Sequence, residues 1–164
     1  MAKIISQVKG KNWNLYCGDS CEVIKGIPSN SIGYSIFSPP FSSLFTYSDS
    51  ERDLGNSKSH KVFFKHFGFL IDELFRVIMT GREVSVHCMN IPMSITKDGY
   101  MGIYDFRGNI VRAFQKRGFI FHAEVCIWKD PLLQAVRTKN LTLAHKQIKK
   151  DSYRCAIGLP DYIV

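Results

Sequence analysis

The chain has 164 residues, of which 45% are hydrophobic, so it can bury the core of one domain, and we expect residues 1–164 to form a single domain. No run of about 18 apolar residues is present, which excludes a membrane-spanning helix, and the first residues lack the apolar core of a secretory signal. The formal net charge of +8 indicates a polyanionic partner, although a basic surface can also serve solubility alone.

The five cysteines lack the paired CxxC spacing that is typical of a structural zinc site. Cys17 and Cys21 are four residues apart, but they flank a predicted strand-to-helix turn and have no second pair of ligands. We therefore expect reduced thiols, no bound metal and a cytoplasmic location.

The first part of the chain predicts a strand, a turn, a helix and a second strand. A short strand beginning at Asn14 ends at a Gly18-Asp19 turn, and an amphipathic helix follows and ends near Gly26. Asp19 is placed to cap the helix that starts at Ser20, because a carboxylate there can accept a hydrogen bond from a backbone N–H of the first turn. The apolar run 32–37 then predicts the second strand.

That second strand stops at the tetrapeptide Ser38-Pro39-Pro40-Phe41. Proline cannot donate to a sheet and fixes its own φ, so the chain leaves the sheet in a stiff direction and presents main-chain carbonyls at the strand's end. Open α/β sheets bind their ligands at that end. A hydroxyl, a rigid carbonyl and an aromatic face suit a flat base with an exocyclic amino group, whereas a plain exit turn is the simpler alternative.

The polar, serine-rich segment 42–60 follows and is longer than most connections, which favours a functional loop. Beyond it, helical and strand patterns alternate to the end of the chain. The predicted elements are a helix over residues 62–79, a strand over 83–89, a helix over 106–116, a strand over 119–128 and the start of another strand at 159–164.

Residues 129–155 form a basic segment in which apolar residues are interspersed, and we expect one or two amphipathic helices there. Such a segment can lay its apolar side on the sheet and direct its cations toward phosphates, while a solvated basic helix is the alternative. The candidate DNA-binding residues are Lys129, Arg137, Lys139, Lys146, Lys149 and Lys150.

The series strand, Gly-Asp, short helix, Pro28, strand and Ser-Pro-Pro-Phe resembles the amino-methylating DNA methyltransferases, which act on adenine N6 or cytosine N4. The resemblance implies a three-layer, Rossmann-like α/β fold with a mostly parallel sheet and an antiparallel last strand. It also implies methyl transfer from S-adenosylmethionine to a base flipped out of double-stranded DNA. Serine at position 38, in place of Asp or Asn, favours cytosine N4 slightly, and adenine N6 stays open.

The resemblance assigns the tetrapeptide residues Ser38, Pro39, Pro40 and Phe41 to catalysis. The Ser38 hydroxyl and the Pro39 carbonyl would each accept one hydrogen of the amino group, and Phe41 would stack on the base. Asp19 and Ser38 are the implied cofactor-binding residues, with Asp19 near the cofactor's adenine.

The Gly-x-Gly loop that these enzymes place beside the methionine part of the cofactor is missing, since the twelve glycines are scattered singly. The chain therefore resembles the catalytic N-terminal half of such an enzyme. We expect an exposed sheet edge that pairs either with a second copy or with another chain that supplies the other half. A truncated, inactive DNA-binding remnant or subunit is the main alternative.

Overall fold

The computed structural model describes residues 4–93, 95–130, 133 and 159–164. These residues fall into two compact units. Unit one comprises the described residues of Met1–Ser85 together with Arg112–Ile120, and unit two those of Val86–Val111 together with Phe121–Val164. In this part of the chain, no helix combines the length and the apolarity needed to cross a membrane.

Unit one begins with an antiparallel hairpin of β1 (Ile4–Lys9) and β2 (Asn14–Gly18). The predicted short helix follows as α1 (Ser20–Val23), and it continues as a 3₁₀ turn to Gly26. The second predicted strand is confirmed as β3 (Ile32–Phe37).

The long helix α2 (His60–Val77) supplies the core of unit one. It starts where the Ser59 hydroxyl accepts the Val62 N–H at 3.3 Å, which satisfies one of the backbone donors left open at a helix start. Its apolar residues recur at helical spacing and form one buried face. The residues of that face are Phe63, Phe67, Gly68, Ile71, Leu74 and Val77.

The end of α2 was predicted at residue 79 and the next strand at 83–89, and both boundaries are wrong. The helix stops at Val77, and β4 (Ile78–Met89) starts at once. Side-chain and backbone partners near β3 explain the early switch, because the Thr80 N–H donates to the Asn30 side chain at 3.1 Å and the Ser31 N–H donates to the Val77 carbonyl at 2.8 Å. These bonds hold the chain extended where helical periodicity alone favoured another half-turn.

The main sheet is mixed and has the strand order β3-β4-β8-β7. In unit two, the end of β4 pairs antiparallel with β8 (Asp161–Ile163), which also pairs antiparallel with β7 (Val125–Ile127). The final strand is therefore antiparallel to both of its neighbours, as expected. The three-layer arrangement and the mostly parallel sheet stay predictions.

The strand predicted over residues 119–128 is reduced to the three residues of β7. In unit one, the Phe119 ring lies 5.2 Å from the ring of Phe75 and 5.1 Å from that of Phe114, so it packs against helices and not within a sheet. The prediction of a strand at Phe119 is therefore wrong, because the ring packs on helical residues of unit one.

Unit two also contains a short hairpin, a short helix and the start of a longer helix. β5 (Ile91–Met93) pairs antiparallel with β6 (Gly102–Tyr104), and α3 (Ile95–Asp98) lies between them in the chain. The predicted second helix is confirmed as α4 (Phe106–Gln115), of which the residues to Val111 belong to unit two and those from Arg112 to unit one. Its first turn is capped by Asp105, which accepts the Gly108 N–H at 2.9 Å.

Most of the predicted basic segment 129–155 lies outside the described residues. Only Lys129, Asp130 and Leu133 of that segment are described, so its predicted helices stay predictions.

We expect Phe67→Ala to lower the free energy of unfolding by about 3–5 kcal/mol, because it would empty a fully buried site where the rings of Phe37, Phe63 and Phe114 meet. Phe69→Ala is the matched control, since Phe69 lies on the same helix but is 59% exposed. Urea denaturation of both variants checks this, and equal losses of stability would contradict the packing described.

Candidate catalytic site

The tetrapeptide Ser38-Pro39-Pro40-Phe41 lies directly after the last residue of β3. The preceding residue, Phe37, has its ring 6.3 Å from that of Phe67 on α2, which ties the end of the strand to the core of unit one. Ser38 is exposed, Pro39 is buried, and Pro40 and Phe41 are half-buried. The motif therefore places a surface hydroxyl beside a rigid, packed proline.

The next residue, Ser42, has a conformation that the sequence did not reveal. It is only 1% exposed and has φ of +53°, in the left-handed region that residues other than glycine rarely adopt. Its N–H donates to the Pro40 carbonyl at 2.8 Å, and its Oγ lies 2.7 Å from Nδ1 of His60, the first residue of α2. A serine eighteen positions before a histidine gives no pattern by which this contact could be predicted.

The rest of the predicted functional loop is organised by its own polar side chains. Asp53 accepts the Gly55 N–H at 2.8 Å and the Ser48 hydroxyl at 2.9 Å, and the Asn56 amide donates to the Ser48 carbonyl at 2.7 Å. Gly55 is required here, since a Cβ would lie 2.6 Å from the carbonyl oxygen of Phe45. The loop is thus a compact turn with defined internal bonds.

Asp19, the predicted cofactor residue, follows directly after β2. One of its oxygens accepts the Cys21 N–H at 2.9 Å, so the predicted capping of α1 is confirmed. Its other oxygen lies 2.9 Å from Nε of Arg52, in the loop that follows the tetrapeptide. Arg52 therefore connects that loop to the end of β2.

Arg52 also holds Glu22 on α1, with its guanidinium 3.0 Å from the carboxylate. The Arg52 hydrogen bond is the main cause that lowers the pKa of Glu22, and the neighbouring Lys25 adds to it. The same bond and the charge of Asp19 raise the pKa of Arg52. Two carboxylates and one guanidinium thus fasten the loop at the surface of unit one.

Of the predicted DNA-binding residues, the structure describes only Lys129. Its Nζ lies 2.5 Å from the Asp161 carboxylate, whose other oxygen lies 3.2 Å from Nε2 of His87. The Lys129 side chain is 24% exposed and is thus occupied within unit two. The other five, Arg137, Lys139, Lys146, Lys149 and Lys150, lie outside the described residues.

Unit two also contains a polar cluster that the sequence pattern did not identify. Arg107 pairs with Glu124, and its guanidinium carbon lies 5.2 Å from the centre of the Tyr162 ring. Nearby, Cys88 is fully buried, and its burial is the main cause that raises the pKa of its thiol to about 12.

The described cysteines Cys17, Cys21, Cys88 and Cys126 are free thiols. Within the residues that the structure describes, no group of three or more His, Cys, Asp or Glu side chains could hold a metal ion.

Comparison with solved structures identifies the fold. The chain aligns with TTHA0409 of Thermus thermophilus, provisionally described as a DNA modification methylase, in its complex with S-adenosyl-L-methionine. That alignment has a TM-score of 0.62 at 15% identity and covers 89% of this chain and 49% of the other. The PvuII DNA methyltransferase, described as cytosine-N4-specific, aligns with a TM-score of 0.53 at 13% identity, over 90% of this chain and 47% of the other.

At these identities the likeness establishes the fold alone. The chain has a mixed α/β fold of the kind found in DNA methyltransferases, and it spans about half the length of the solved structures it matches. No family model matches the chain, and no curated protein does.

We expect Arg52→Ala to loosen the loop over residues 46–53, because both of its carboxylate partners lose their contact. Amide hydrogen exchange in that loop should become about two- to five-fold faster, in keeping with a solvent-exposed ion pair. Arg82→Ala is the control, since it removes the same charge at an exposed position of β4.

In the wild-type chain, the contact between Arg52 and Glu22 should weaken as the pH falls. A carboxylate with a lowered pKa stabilises the folded state above its ordinary pKa, and this contribution is lost as the pH falls through the lowered value. If amide hydrogen exchange in the loop is the same in Arg52→Ala as in the wild type, these ion pairs do not hold the loop.

We expect Cys88 to resist alkylation in the folded chain, because the thiolate is the reactive form and the raised pKa keeps Cys88 protonated at pH 8. Cys17 and Cys126, which are both exposed, should react first with iodoacetamide. Peptide mass spectrometry after a timed pulse checks the order, and labelling of Cys88 as fast as Cys17 would contradict its burial.

Proposed function

We propose that this chain is the catalytic half of a DNA methyltransferase that transfers the methyl group of S-adenosylmethionine to an exocyclic amino group of a flipped base. The tetrapeptide carries the proposal, because β3 delivers an exposed Ser38 and a rigid, buried Pro39 to the end of a strand. The likeness to two solved proteins described as DNA methylating enzymes supports the same reaction class.

The chemistry needs positioning more than it needs a covalent intermediate. The lone pair of an exocyclic amine is delocalised into the ring, so the nitrogen is a poor nucleophile. When the Ser38 hydroxyl and the Pro39 carbonyl each accept one amino hydrogen, the nitrogen is drawn toward tetrahedral geometry and its lone pair becomes directed. Phe41 would stack on the base, which must leave the duplex to be reached. Pro40 keeps the turn between these groups stiff.

S-adenosylmethionine would supply an electrophilic methyl group on a sulfonium. The carboxylate of Asp19 fits a role in holding it, because a carboxylate can accept about four hydrogen bonds and Asp19 engages the Cys21 N–H and Arg52. Its side chain is 27% exposed at the end of β2, so a ligand can reach it. Ser38 is the second residue that we propose to contact S-adenosylmethionine.

Double-stranded DNA is the proposed substrate, and the formal net charge of +8 supports it. We assign the phosphate contacts to the basic segment, with Arg137, Lys139, Lys146, Lys149 and Lys150 as candidates. Lys129 is a weaker candidate, because Asp161 already holds its ammonium group. Cytosine N4 is the favoured target over adenine N6, on the basis of serine at position 38.

A complete site would require a second polypeptide portion. The chain spans about half of the matched structures, and it lacks a Gly-x-Gly loop. β3 stands first in the order β3-β4-β8-β7 of the described sheet, and an edge strand of this kind suits pairing with a strand of a second copy or of another chain. We propose that such a portion completes the cofactor pocket in a cytoplasmic enzyme.

The second candidate function is an inactive DNA-binding subunit or remnant with the same fold. The missing Gly-x-Gly favours it, whereas the intact tetrapeptide favours catalysis. Calorimetric titration of S-adenosylmethionine into the purified 164-residue chain separates the two, with light scattering on the same sample to report self-association. Micromolar binding supports the enzyme. DNA binding supports the subunit only where cofactor binding is still absent after the portion that completes the pocket is supplied.

We expect Ser38→Ala to lower the rate of methyl transfer by about 100-fold while DNA affinity changes little, because the proposed roles of the hydroxyl are at the reacting amine and the cofactor and not at the DNA phosphates. Ser6→Ala, at an exposed position of β1, is the control. Transfer of tritiated methyl groups to DNA and a DNA-binding titration measure the two effects. Unchanged turnover would remove Ser38 from the mechanism.

A further inference from the structure

The Ser42–His60 contact lies outside the tetrapeptide, yet it joins the loop that leaves the motif to α2. Ser42 is 1% exposed, and its Oγ is 2.7 Å from Nδ1 of His60. His60 is half-buried at the first position of α2, directly after the capping residue Ser59. The histidine thus has its main chain fixed by an 18-residue helix whose inner face is fully packed.

The tetrapeptide is consequently held at both ends by one helix. On its N-terminal side, Phe37 packs on Phe67, and on its C-terminal side Ser42 bonds to His60. Residues 60 and 67 are about two turns apart on α2, which is a span of about 10 Å. A rigid helix therefore sets the separation between the end of β3 and the residue that follows the motif.

The backbone of Ser42 also forms a hydrogen bond with the motif itself. The Ser42 N–H donates to the Pro40 carbonyl at 2.8 Å, which fixes the peptide plane between Pro40 and Phe41 and so the direction in which Phe41 leaves the chain. Ser42 itself has φ of +53°, a conformation that persists only where the surroundings enforce it. The His60 contact to the buried hydroxyl is such an enforcing interaction.

We propose that Ser42 and His60 form a positioning pair that orients Phe41 and the proline carbonyls for the flipped base. The inference rests on the proposed function and adds two residues that do not touch the base. Because the pair acts on the geometry of the motif, its loss should lower kcat and leave the KM for DNA almost unchanged.

Three substitutions of His60 test the pair, and one of them should restore the contact with Ser42. His60→Ala removes the partner of Ser42, His60→Asn places a polar atom near the position of Nδ1, and His60→Gln places one near Nε2. We expect His60→Ala to lower kcat by about 10- to 100-fold, as expected for a misplacement of about 1 Å. His60→Asn should recover most of that loss and His60→Gln should not. His66→Ala, an exposed histidine of the same helix, is the control.

Two substitutions of Ser42 separate the loss of its hydroxyl from the strain of its backbone. Ser42→Gly removes the hydroxyl but accepts a positive φ, whereas Ser42→Ala removes the hydroxyl and keeps the strained backbone. Both should lower kcat to the level of His60→Ala, and Ser42→Ala should also lower the melting temperature more than Ser42→Gly does. A Ser42→Gly variant with wild-type kcat would overturn the proposal.

Hydrogen exchange over residues 38–45 gives a readout that needs no activity. The exchange should become faster in His60→Ala and stay near wild type in His60→Asn. Should the wild-type chain transfer no methyl groups even with the portion that completes its site, the proposed function fails, and this measurement still decides the pair by itself. Unchanged exchange in His60→Ala, or equal loss of kcat in the Ala and Asn variants, would overturn the positioning role.

Discussion

Packing of aromatic rings on one face of α2 is the interaction on which unit one depends. The ring of Phe67 has no exposed surface and lies within 6.3 Å of the rings of Phe63, Phe37 and Phe114. Phe37 is the last residue of β3, so the same packing that stabilises the unit also sets where the strand ends. The position of the Ser-Pro-Pro-Phe motif is therefore a consequence of core formation.

Elements with strong local signals could be predicted from the sequence. The apolar run at 32–37 and the helical spacing of α2 each act within a few residues, and so does the capping of α1 by Asp19. The early start of β4 could not be predicted, because it depends on Asn30 and Ser31, which are about fifty residues away in the chain. The packing of Phe119 could not be predicted for the same reason, because an apolar pattern does not identify the residues that a side chain contacts.

The candidate site also has one part that the sequence predicts and another that it does not. The tetrapeptide itself was evident, because prolines after a strand have a fixed physical meaning. The contacts around it, from Arg52 to Asp19 and from Ser42 to His60, join polar side chains that have no periodic spacing. Contacts of this kind depend on the three-dimensional path of the loop, which a sequence pattern does not encode.

Ion pairing within the fold changes what the formal charge means for DNA binding. In the described part of the chain, several basic side chains contact carboxylates within unit one or unit two, among them Lys25, Arg52, Arg76, Arg107, Arg117 and Lys129. A cation that is already neutralised locally releases few counterions when a phosphate approaches. The dependence of DNA affinity on salt concentration would therefore count the lysines and arginines that reach the DNA backbone, and not the net charge of the whole chain.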